Sequence, residues 1–417
     1  MHATKHHATV FGGAMIIAGT AIGAGMFANP TATAGIWFSW SILVFLYTWF
    51  CMWASGLMIV EASVHYPPQA SFATIVKDLL GHQWNIINGL SVAFVLYILI
   101  YAYITSGGGL TAGYLNQFLP ALGFEFGQTS GSLLFCVIFA LFVWLSTKAV
   151  DRMTTILIIG MVVSFVLSMG DLLGSVKSEI LFNRIAQGEQ QYLPYLLMAL
   201  PACLVSFGYH GNVPSLMKYF QGDVKKVTRA ITLGSLIALV IYLLWQFAIH
   251  GNLPRAEFAP VIAKDGDIGA LLTALNSYIQ TDFVAKMLNA FAYMALTSSF
   301  LGVALGLFDY ISDLLKLSDD RLGRTKAVLF TFVPPLLFSL NAPFGFVTAI
   351  GFAGLAATIW AVIVPALLAK ASRKRFPNNH YHAFGGNFMI YFVILFGLLN
   401  ILAQIGAKLN WIPVFTG

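Results

Sequence analysis

The first apolar stretch of the chain, residues 10–36, is long enough to cross a bilayer but contains several residues that disfavour a continuous helix. About 20 apolar residues span the hydrocarbon core. Within the segment AGTAIGAGMFANP, Gly19, Gly23 and Gly25 lie close to Thr20, and each glycine costs a helix about 1 kcal/mol relative to alanine. Non-helical backbone at membrane depth is tolerated only where it lines a cavity or is buried in protein. We therefore predict a broken transmembrane helix.

The composition of the whole chain excludes a soluble protein. Of its 417 residues, 59% are hydrophobic and only 9% are charged, whereas soluble domains carry about 25% charged residues. The apolar runs are continuous, unlike the alternating strands of an outer-membrane barrel. The net charge of +6 does not indicate nucleic acid binding, because the basic residues cluster at the ends of apolar stretches, as topology signals do. The prediction is an all-α integral membrane protein.

Eleven apolar stretches are predicted to span the membrane, within a single domain covering residues 1–417. The segment SFATIVKDLLG, between the second and third stretches, predicts a short amphipathic helix at the membrane surface. A polar connection at residues 252–280 is expected to carry short helices. The eleven predicted spans are residues 10–35, 37–64, 85–113, 130–147, 153–173, 193–220, 228–250, 282–314, 325–341, 344–370 and 387–408.

The distribution of basic residues predicts the orientation of the chain. With the N-terminus in the cytoplasm, sixteen of the 22 Lys and Arg residues fall on the cytoplasmic side. Because basic residues are enriched in cytoplasmic loops, this orientation is favoured, and an odd number of spans then places the C-terminus in the periplasm. The remaining six basic residues are Lys177, Arg184, Arg255, Lys264, Lys286 and Lys408.

The sixth predicted span contains a second interruption. Its segment SFGYHGNVPS places Gly208, Gly211 and Pro214 in mid-span, and proline removes a helical hydrogen bond while glycine relaxes the backbone. The two interrupted spans are five spans apart, so a second group of five spans is inverted relative to the first. Paired interruptions of this kind indicate an inverted-repeat secondary transporter with its site at the two breaks. The predicted repeats cover residues 10–173 and 193–370.

Six sequence segments carry a resemblance to a known family. With them the chain resembles the hydroxy and aromatic amino acid permease family, within the amino acid/polyamine/organocation superfamily. The resemblance implies a leucine-transporter-like fold of five plus five inverted helices, with residues 387–408 as an extra eleventh helix. It also implies cation-coupled uptake of an aromatic amino acid, tryptophan first, across a bacterial inner membrane. The segments are GTAIGAGMF, AFVLYILIYAYI, WLSTKAV, FGYHGNVPSLMKY, SSFLGVALGLFDY and GLAATIWAVIVPALLA.

The same resemblance implies a substrate site formed by the two interruptions. Amides around Gly23 and Gly25 would face the substrate carboxylate, and the carbonyls of Ala21, Ser206 and Phe207 would face its amino group. Half-helix ends supply such donors and acceptors without burying a charged side chain. The full set of predicted substrate-contacting residues is Thr20, Ala21, Gly23, Ala24, Gly25, Tyr97, Tyr101, Ser206, Phe207, Gly208, Tyr209, His210 and Asn289.

Several of these residues are predicted to form the pocket for the substrate side chain. Tyr97 and Tyr101 lie on one face of the third span, although such an aromatic stripe is also typical of plain core. Phe207 and Tyr209 are candidates for an aromatic gate or pocket wall. A buried indole N–H needs an acceptor, for which Asn289 is one candidate. The others are Thr105, Ser106 or a backbone carbonyl.

The coupling ion is predicted from two competing patterns. Gly19 and Ile22, with Met294, Thr297 and Ser298 of the eighth span, resemble the sodium site of sodium-coupled relatives, which uses oxygen ligands only. Paired hydroxyls in a membrane helix are also common in interhelical hydrogen bonds. We therefore predict sodium, rather than a proton, as the coupling ion.

Proton coupling remains the alternative prediction. It needs a titratable group near the middle of the membrane, and proton-coupled relatives carry a lysine where this chain has Met161. The remaining candidates are His210, Glu61 and Asp309. His210 lies in the second interruption and has a suitable ordinary pKa, whereas the two carboxylates lie near span ends, where gating or anchoring roles are common.

The sequence contains no complete enzyme motif. Ser215 and Lys218 form an SxxK without a companion motif, and the glycines near Gly19 follow no strand and precede no lysine, unlike a nucleotide-binding loop. The chain is therefore predicted not to be an enzyme. The expected partners are an amino acid substrate and the lipid bilayer, with no nucleic acid, no obligate protein partner and no cofactor besides the coupling ion.

Alternative functions remain open at this stage. Tyrosine or a small hydroxy amino acid is the nearest competing substrate, with a proton as the coupling ion. A more distant alternative is an amino acid-gated conducting membrane protein that uses the same helices without alternating access.

Overall fold

The computed structural model describes residues 8–120, 123–186, 188–279 and 281–417, and within these ranges the chain is helical with no β-strand. In the part of the chain that is described, 3₁₀ turns at Leu193–Tyr195, His210–Asn212 and Arg255–Phe258 and a π-helical turn at Ile359–Ile363 interrupt or join the α-helices. The α-helices are α1 (Val10–Ala21), α2 (Gly25–Ala32), α3 (Trp37–Ser63), α4 (Phe72–Leu80), α5 (His82–Phe118), α6 (Gln128–Leu145), α7 (Thr147–Gly174), α8 (Ser178–Leu181), α9 (Leu196–Ser206), α10 (Val213–Tyr219), α11 (Val224–Asn252), α12 (Ala259–Ala263), α13 (Ile268–Asn276), α14 (Asp282–Leu314), α15 (Arg321–Asn341), α16 (Phe346–Thr358), α17 (Val364–Arg375) and α18 (Gly386–Lys408).

The helices confirm an integral membrane protein. In the part of the chain that is described, nine helical spans are long and apolar enough to cross a membrane, and the bent pair α1 and α2 makes a tenth. The predicted ninth span is also a helix, α15, but it does not reach the apolarity of the others. Its first two turns carry Arg321, Arg324 and Lys326, which lower the mean hydropathy of any window through it.

Both predicted interruptions are present. α1 ends at Ala21 and α2 begins at Gly25, with the two axes bent by 55°; we call residues 22–24 the first break. α9 ends at Ser206, and a 3₁₀ turn at His210–Asn212 leads into α10; we call residues 207–209 the second break. Pro214 lies in the first turn of α10, where its missing N–H would have had no helical partner.

The helix predicted between the second and third spans and the short helices predicted in the polar connection are present. α4 begins after Ser71, whose side chain accepts a hydrogen bond from the Thr74 amide, and ends at Gly81 with a φ of 91°. A positive φ of this size is accessible to glycine at little cost. In the connection after α11, a 3₁₀ turn, α12 and α13 follow one another.

The packing places both breaks inside the bundle. α1 lies along α11, α2 lies against α9, and α3 contacts both α9 and α11. Two tryptophans tie α3 to α11: Trp49 Nε1 donates to Ser235 Oγ at 3.1 Å and Trp53 Nε1 donates to Thr232 Oγ1 at 2.9 Å. α14 lies along α7, and the 37-residue α5 contacts α6, α14, α15 and α16.

Candidate functional site

The two breaks meet at one side chain of α11. The hydroxyl of Tyr242 lies 2.5 Å from the carbonyl oxygen of Ala21 and 2.6 Å from that of Ser206. Tyr242 is 1% exposed, and the ring of Phe207 packs edge-on against it with centroids 5.1 Å apart. The structure therefore brings together Ala21, Ser206 and Phe207, the residues whose carbonyls the sequence predicts to face an amino group. Their role in binding stays a prediction.

The backbone of the first break is held by α14 and by the second break. The Ala24 amide donates to Ser299 Oγ at 3.1 Å, and a Cβ atom at Gly23 would collide with that same hydroxyl. On the other side, Ser206 Oγ lies 3.3 Å from the Gly25 carbonyl. The predicted amide donors Gly23, Ala24 and Gly25 therefore lie beside the second break.

Ser206 also contacts an amide side chain beyond the first break. Its hydroxyl donates to Asn29 Oδ1 at 2.9 Å, closer than its contact with the Gly25 carbonyl. The Asn29 amide nitrogen is buried and has no partner among the described residues. The side chain next to Ser206 thus carries a buried hydrogen-bond donor without an acceptor in the described part of the chain.

Thr20, the second-last residue of α1, connects the first break to the turn that follows the second break. Its hydroxyl donates to the Ile16 carbonyl at 2.7 Å and accepts from Asn212 Nδ2 at 2.5 Å. Asn212 belongs to the 3₁₀ turn that follows the second break. Thr20 is exposed, so this bond lies at an accessible edge of the site.

The side chains of Tyr209, the last residue of the second break, and of His210 contact α3. Tyr209 Oη donates to the Met52 carbonyl at 3.0 Å, and His210 Nε2 lies 2.7 Å from Ser55 Oγ. The Tyr209 ring fits against α3 only because residue 56 is glycine, since a Cβ at Gly56 would collide with the phenol. Gly208 connects these docked residues to Phe207. Tyr209 and His210 thus contact a neighbouring helix, not the space between the breaks.

The predicted pocket residues of α5 and α14 bond elsewhere. Tyr97 Oη donates to the Phe330 carbonyl of α15 at 2.9 Å, and Tyr101 Oη donates to the Ala342 carbonyl at 3.0 Å. Asn289 Nδ2 donates to a carbonyl of its own helix at 2.7 Å. None of these contacts involves either break, so the structure does not bring Tyr97, Tyr101 and Asn289 to the predicted site.

A neighbouring tyrosine of α5 lies closer to the site than the two predicted ones. Tyr103 is 5% exposed, and its phenol is near enough to that of Tyr242 to interact electrostatically. Asn289 lines a cavity of about 860 Å³ whose lining also includes Asp267, Lys264 and Lys286.

The predicted cation ligands lie near the end of α1 and on α14, and the first break contacts α14 through the Ala24 amide and the Ser299 hydroxyl. The Thr297 side chain is fully buried, and its hydroxyl has no hydrogen-bond partner in the described part of the chain. Ser298 Oγ donates to a carbonyl of its own helix at 3.1 Å. Met294 packs against α7, where a Cβ at Gly160 would collide with its sulfur.

The remaining predicted cation ligands are backbone groups of α1. Gly19 is exposed, and Ile22, which follows the last residue of the helix, donates its amide to the Ala18 carbonyl at 2.7 Å. Within residues 8–120, 123–186, 188–279 and 281–417, no group of three or more His, Cys, Asp or Glu side chains could hold a metal ion. The possible cation ligands in this region are therefore carbonyl and hydroxyl oxygens.

The candidate proton carriers have different surroundings. His210 is buried, with Nδ1 unpartnered among the described atoms, whereas Asp309 is exposed on α14. Met161, at the position where proton-coupled relatives are expected to have lysine, is buried on α7.

Glu61 forms a buried ion pair at the end of α3. Its carboxylate accepts two hydrogen bonds from Arg373 of α17, at 2.7 and 2.9 Å, and one from the Ala383 amide at 2.7 Å. His382 Nδ1 lies 3.1 Å from the same carboxylate. These contacts tie α3 to α17 and to the segment before α18, and they suit an anchoring role.

The connection between α11 and α14 contains one buried and one partly buried carboxylate, Asp267 and Asp265. Asp267 caps α13 by accepting from the Ala270 amide at 3.0 Å, and burial raises the pKa of its carboxyl to about 6. Asp265 accepts from the amide and the hydroxyl of Thr348 at 2.9 and 2.8 Å, and burial raises its pKa as well. The connection is thereby attached to the start of α16.

Two residues at the breaks were not among those selected from the sequence: Tyr242 and Ser299. Tyr242 is a polar group inside a long apolar helix, which is a weak signal on its own. Ser299 directly follows the two hydroxyl residues that were selected, but neighbouring residues on a helix point about 100° apart. Only the rotation of α14 in the folded bundle identifies which hydroxyl faces the break.

Comparison with known proteins gives a consistent result. A family model described as the tryptophan/tyrosine permease family matches residues 6–404. The tryptophan-specific transport protein of Haemophilus influenzae is 67% identical over 98% of both chains. The protein of the same description from Pseudomonas aeruginosa is 53% identical over 98% of this chain and 97% of its own. The low affinity tryptophan permease of Escherichia coli is 43% identical over 99% of both.

Proposed function

The chain belongs to the tryptophan/tyrosine permease family, and we propose that it takes up L-tryptophan across the bacterial inner membrane by cation-coupled symport. Membership of a family of permeases confirms the prediction that it is not an enzyme. The observation that carries the choice of substrate is the 67% identity, over 98% of both chains, to a protein described as tryptophan-specific.

The proposed architecture is the leucine-transporter-like inverted repeat. It is supported by two broken helices in corresponding positions, α1 with α2 and α9 with α10. In such transporters the site lies at the breaks, and alternating access comes from movement of the broken helices and their neighbours against the rest. In this proposal the N-terminus is cytoplasmic, the C-terminus is periplasmic, and α18 is the additional helix.

In the proposed binding mode, the zwitterion lies between the two breaks. Its ammonium group is held by the carbonyls of Ala21, Ser206 and Phe207, at the C-terminal ends of half-helices, where partial negative charge accumulates. Its carboxylate faces the amides around Gly23 and Gly25. The convergence of the Ala21 and Ser206 carbonyls on one point supports this mode.

We favour sodium as the coupling ion, with the proton as the alternative. The proposed ligands are the backbone carbonyls of Gly19, Ile22 and Met294 and the hydroxyls of Thr297 and Ser298. A buried hydroxyl without a partner is costly, and the Thr297 hydroxyl is such a group among the described atoms. A cation taking that oxygen as a ligand removes the cost.

The test is uptake of labelled tryptophan into proteoliposomes, with an imposed sodium gradient in one arm and an imposed proton gradient in the other. We expect sodium-driven accumulation that falls at least about tenfold in Thr297→Ala, the loss of one ligand interaction of roughly 1.4 kcal/mol or more, and that persists in Thr297→Ser. Unlabelled tyrosine and serine in excess serve as competitors, and they are expected to inhibit uptake less than unlabelled tryptophan does.

Other outcomes would contradict parts of the proposal. Proton-driven accumulation that is indifferent to sodium would refute the sodium site and direct attention to His210. Stronger inhibition by tyrosine than by tryptophan would change the substrate. A tryptophan-dependent ion current without accumulation under either gradient would replace symport by a gated conductance.

A further inference from the structure

Tyr242 occupies an unusual position between the ends of two half-helices. Ala21 is the last residue of α1 and Ser206 is the last residue of α9. The final carbonyls of a helix have no partner within it and carry the negative end of the helix dipole. Both terminal carbonyls point at one phenol oxygen, at 2.5 and 2.6 Å. The protein therefore concentrates acceptor groups at this point.

A tyrosine hydroxyl satisfies this position incompletely. It has a single proton to donate, so at any moment only one of the two carbonyls receives a hydrogen bond from it. An ammonium group has three donors and a positive charge, and hydrogen bonds from charged donors are about twice as strong as neutral ones. The position thus suits a substrate ammonium better than the side chain that occupies it.

We propose that Tyr242 is a placeholder for the substrate ammonium. The proposal rests on the proposed function, amino acid symport. Without substrate, the Tyr242 hydroxyl joins the carbonyls of Ala21 and Ser206 and holds the two breaks together. When the amino acid binds, its ammonium takes over both carbonyls and the phenol is displaced. After release inside the cell, Tyr242 returns and stabilises the arrangement in which the empty carrier moves back.

This role predicts a selective defect. Net uptake requires the empty carrier to return, whereas exchange of external for internal substrate does not. Tyr242→Phe removes only the hydroxyl and keeps the ring that packs against Phe207. We expect net sodium-driven tryptophan uptake to fall about tenfold in this variant. Tryptophan exchange, in liposomes preloaded with unlabelled tryptophan and sodium, is expected to stay within about twofold of the unmodified protein.

A matched control exists at the same break. Tyr209 is equally buried, and its hydroxyl donates to the Met52 carbonyl of α3 at 3.0 Å. Any loss in Tyr209→Phe is expected to affect net uptake and exchange in the same proportion. Equal losses of the two modes in Tyr242→Phe, or no loss in either, would overturn the proposal. If the unmodified protein shows neither mode, the proposed function itself fails.

A second measurement does not depend on how well the phenylalanine variant folds. A fluorinated tyrosine incorporated at position 242 reports the environment of the phenol by fluorine NMR. Addition of tryptophan is expected to shift its resonance, while addition of sodium alone is not. The same label at position 209 is expected not to respond to tryptophan. An unchanged resonance at position 242 under saturating tryptophan would show that the phenol is not displaced.

Discussion

The two breaks share one hydrogen-bonding partner but are held in place very differently. Each is preceded by a residue, Ala21 or Ser206, whose carbonyl faces Tyr242. Tyr209, the last residue of the second break, and His210, which follows it, are buried and bonded to α3. The first break is bent by 55°; the hydroxyl of Ser299 on α14 accepts from the Ala24 amide, and the hydroxyl of Ser206 lies 3.3 Å from the Gly25 carbonyl that follows.

This difference indicates where movement is concentrated. Segments with few buried side-chain contacts open at lower free energy than segments packed into the core. The second break is attached to α3, which is itself tied to α11 through Trp49 and Trp53. We infer that α3, the second break and α11 move as one unit, while the first break changes its bend.

The largest expected effect comes from filling the space at Gly56. A side chain at this position collides with the phenol of Tyr209, and overpacking a filled core costs about 1–3 kcal/mol. Gly56→Val is therefore expected to displace the second break and to lower tryptophan uptake in proteoliposomes more than about tenfold.

Gly170→Val is the control for this prediction. Gly170 lies in α7 with nothing within 4 Å of a Cβ atom, so uptake is expected to remain near that of the unmodified protein. Normal uptake in Gly56→Val would show that α3 and the second break adapt to each other and are not rigidly joined.

An intermediate effect is expected from removing one hydroxyl at each break. Ser55→Ala leaves His210 buried without its partner, at a cost of about 1–3 kcal/mol, and uptake is expected to fall about threefold to fivefold. Ser299→Ala leaves the Ala24 amide, whose partner is only half-buried, so that water replaces the lost acceptor and uptake falls less than about twofold. The apparent unfolding temperature and uptake measure both effects. Equal losses in the two variants would contradict the difference between the breaks.

The smallest effect is expected at the outer connection, where α13 packs against α2 beyond the first break. Burial raises the pKa of Asp267 from 3.8 to about 6, so between these values the folded chain binds more protons than the unfolded one. The free energy of unfolding must then fall as pH rises through about 4 to 6. We expect Asp267→Asn to remove this slope, measured as unfolding temperature against pH, and to leave uptake at neutral pH unchanged.

Asp320→Asn provides the comparison for the pH measurement. Asp320 caps α15, and hydrogen bonds from Ser318 and the Gly323 amide hold its pKa below the ordinary value. The slope between pH 4 and 6 is expected to persist in this variant. A slope that survives in Asp267→Asn instead would assign the titration to another group.

The breaks could be predicted from the sequence because their causes are local. Gly19, Gly23 and Gly25 weaken a helix wherever it lies, and Pro214 cannot continue one. The short helices of the connections were equally visible, since caps such as Ser71 act within a few residues. Residues that determine backbone conformation can be read along the chain.

The partners of the breaks could not be predicted in this way. Tyr242 lies 221 residues from Ala21, and their contact depends on how α11 is rotated. In a span that is apolar all round, little periodicity marks the inner face. Tyr97 and Tyr101 show the result: their hydroxyls bond to the carbonyls of Phe330 and Ala342, whereas the tyrosine of α5 that interacts electrostatically with Tyr242 is Tyr103, on another face of the helix.

The length of α5 has a consequence for the membrane itself. Its 37 residues make a rod of about 55 Å at 1.5 Å per residue, against a hydrocarbon layer of about 30 Å. The helix must therefore lean steeply or project from the surface. It packs against α6, α14, α15 and α16, so a change in the tilt of α5 also displaces these four helices. A lipid mixture with shorter or longer acyl chains is expected to alter that tilt, and we therefore expect the rate of transport to depend on the thickness of the bilayer.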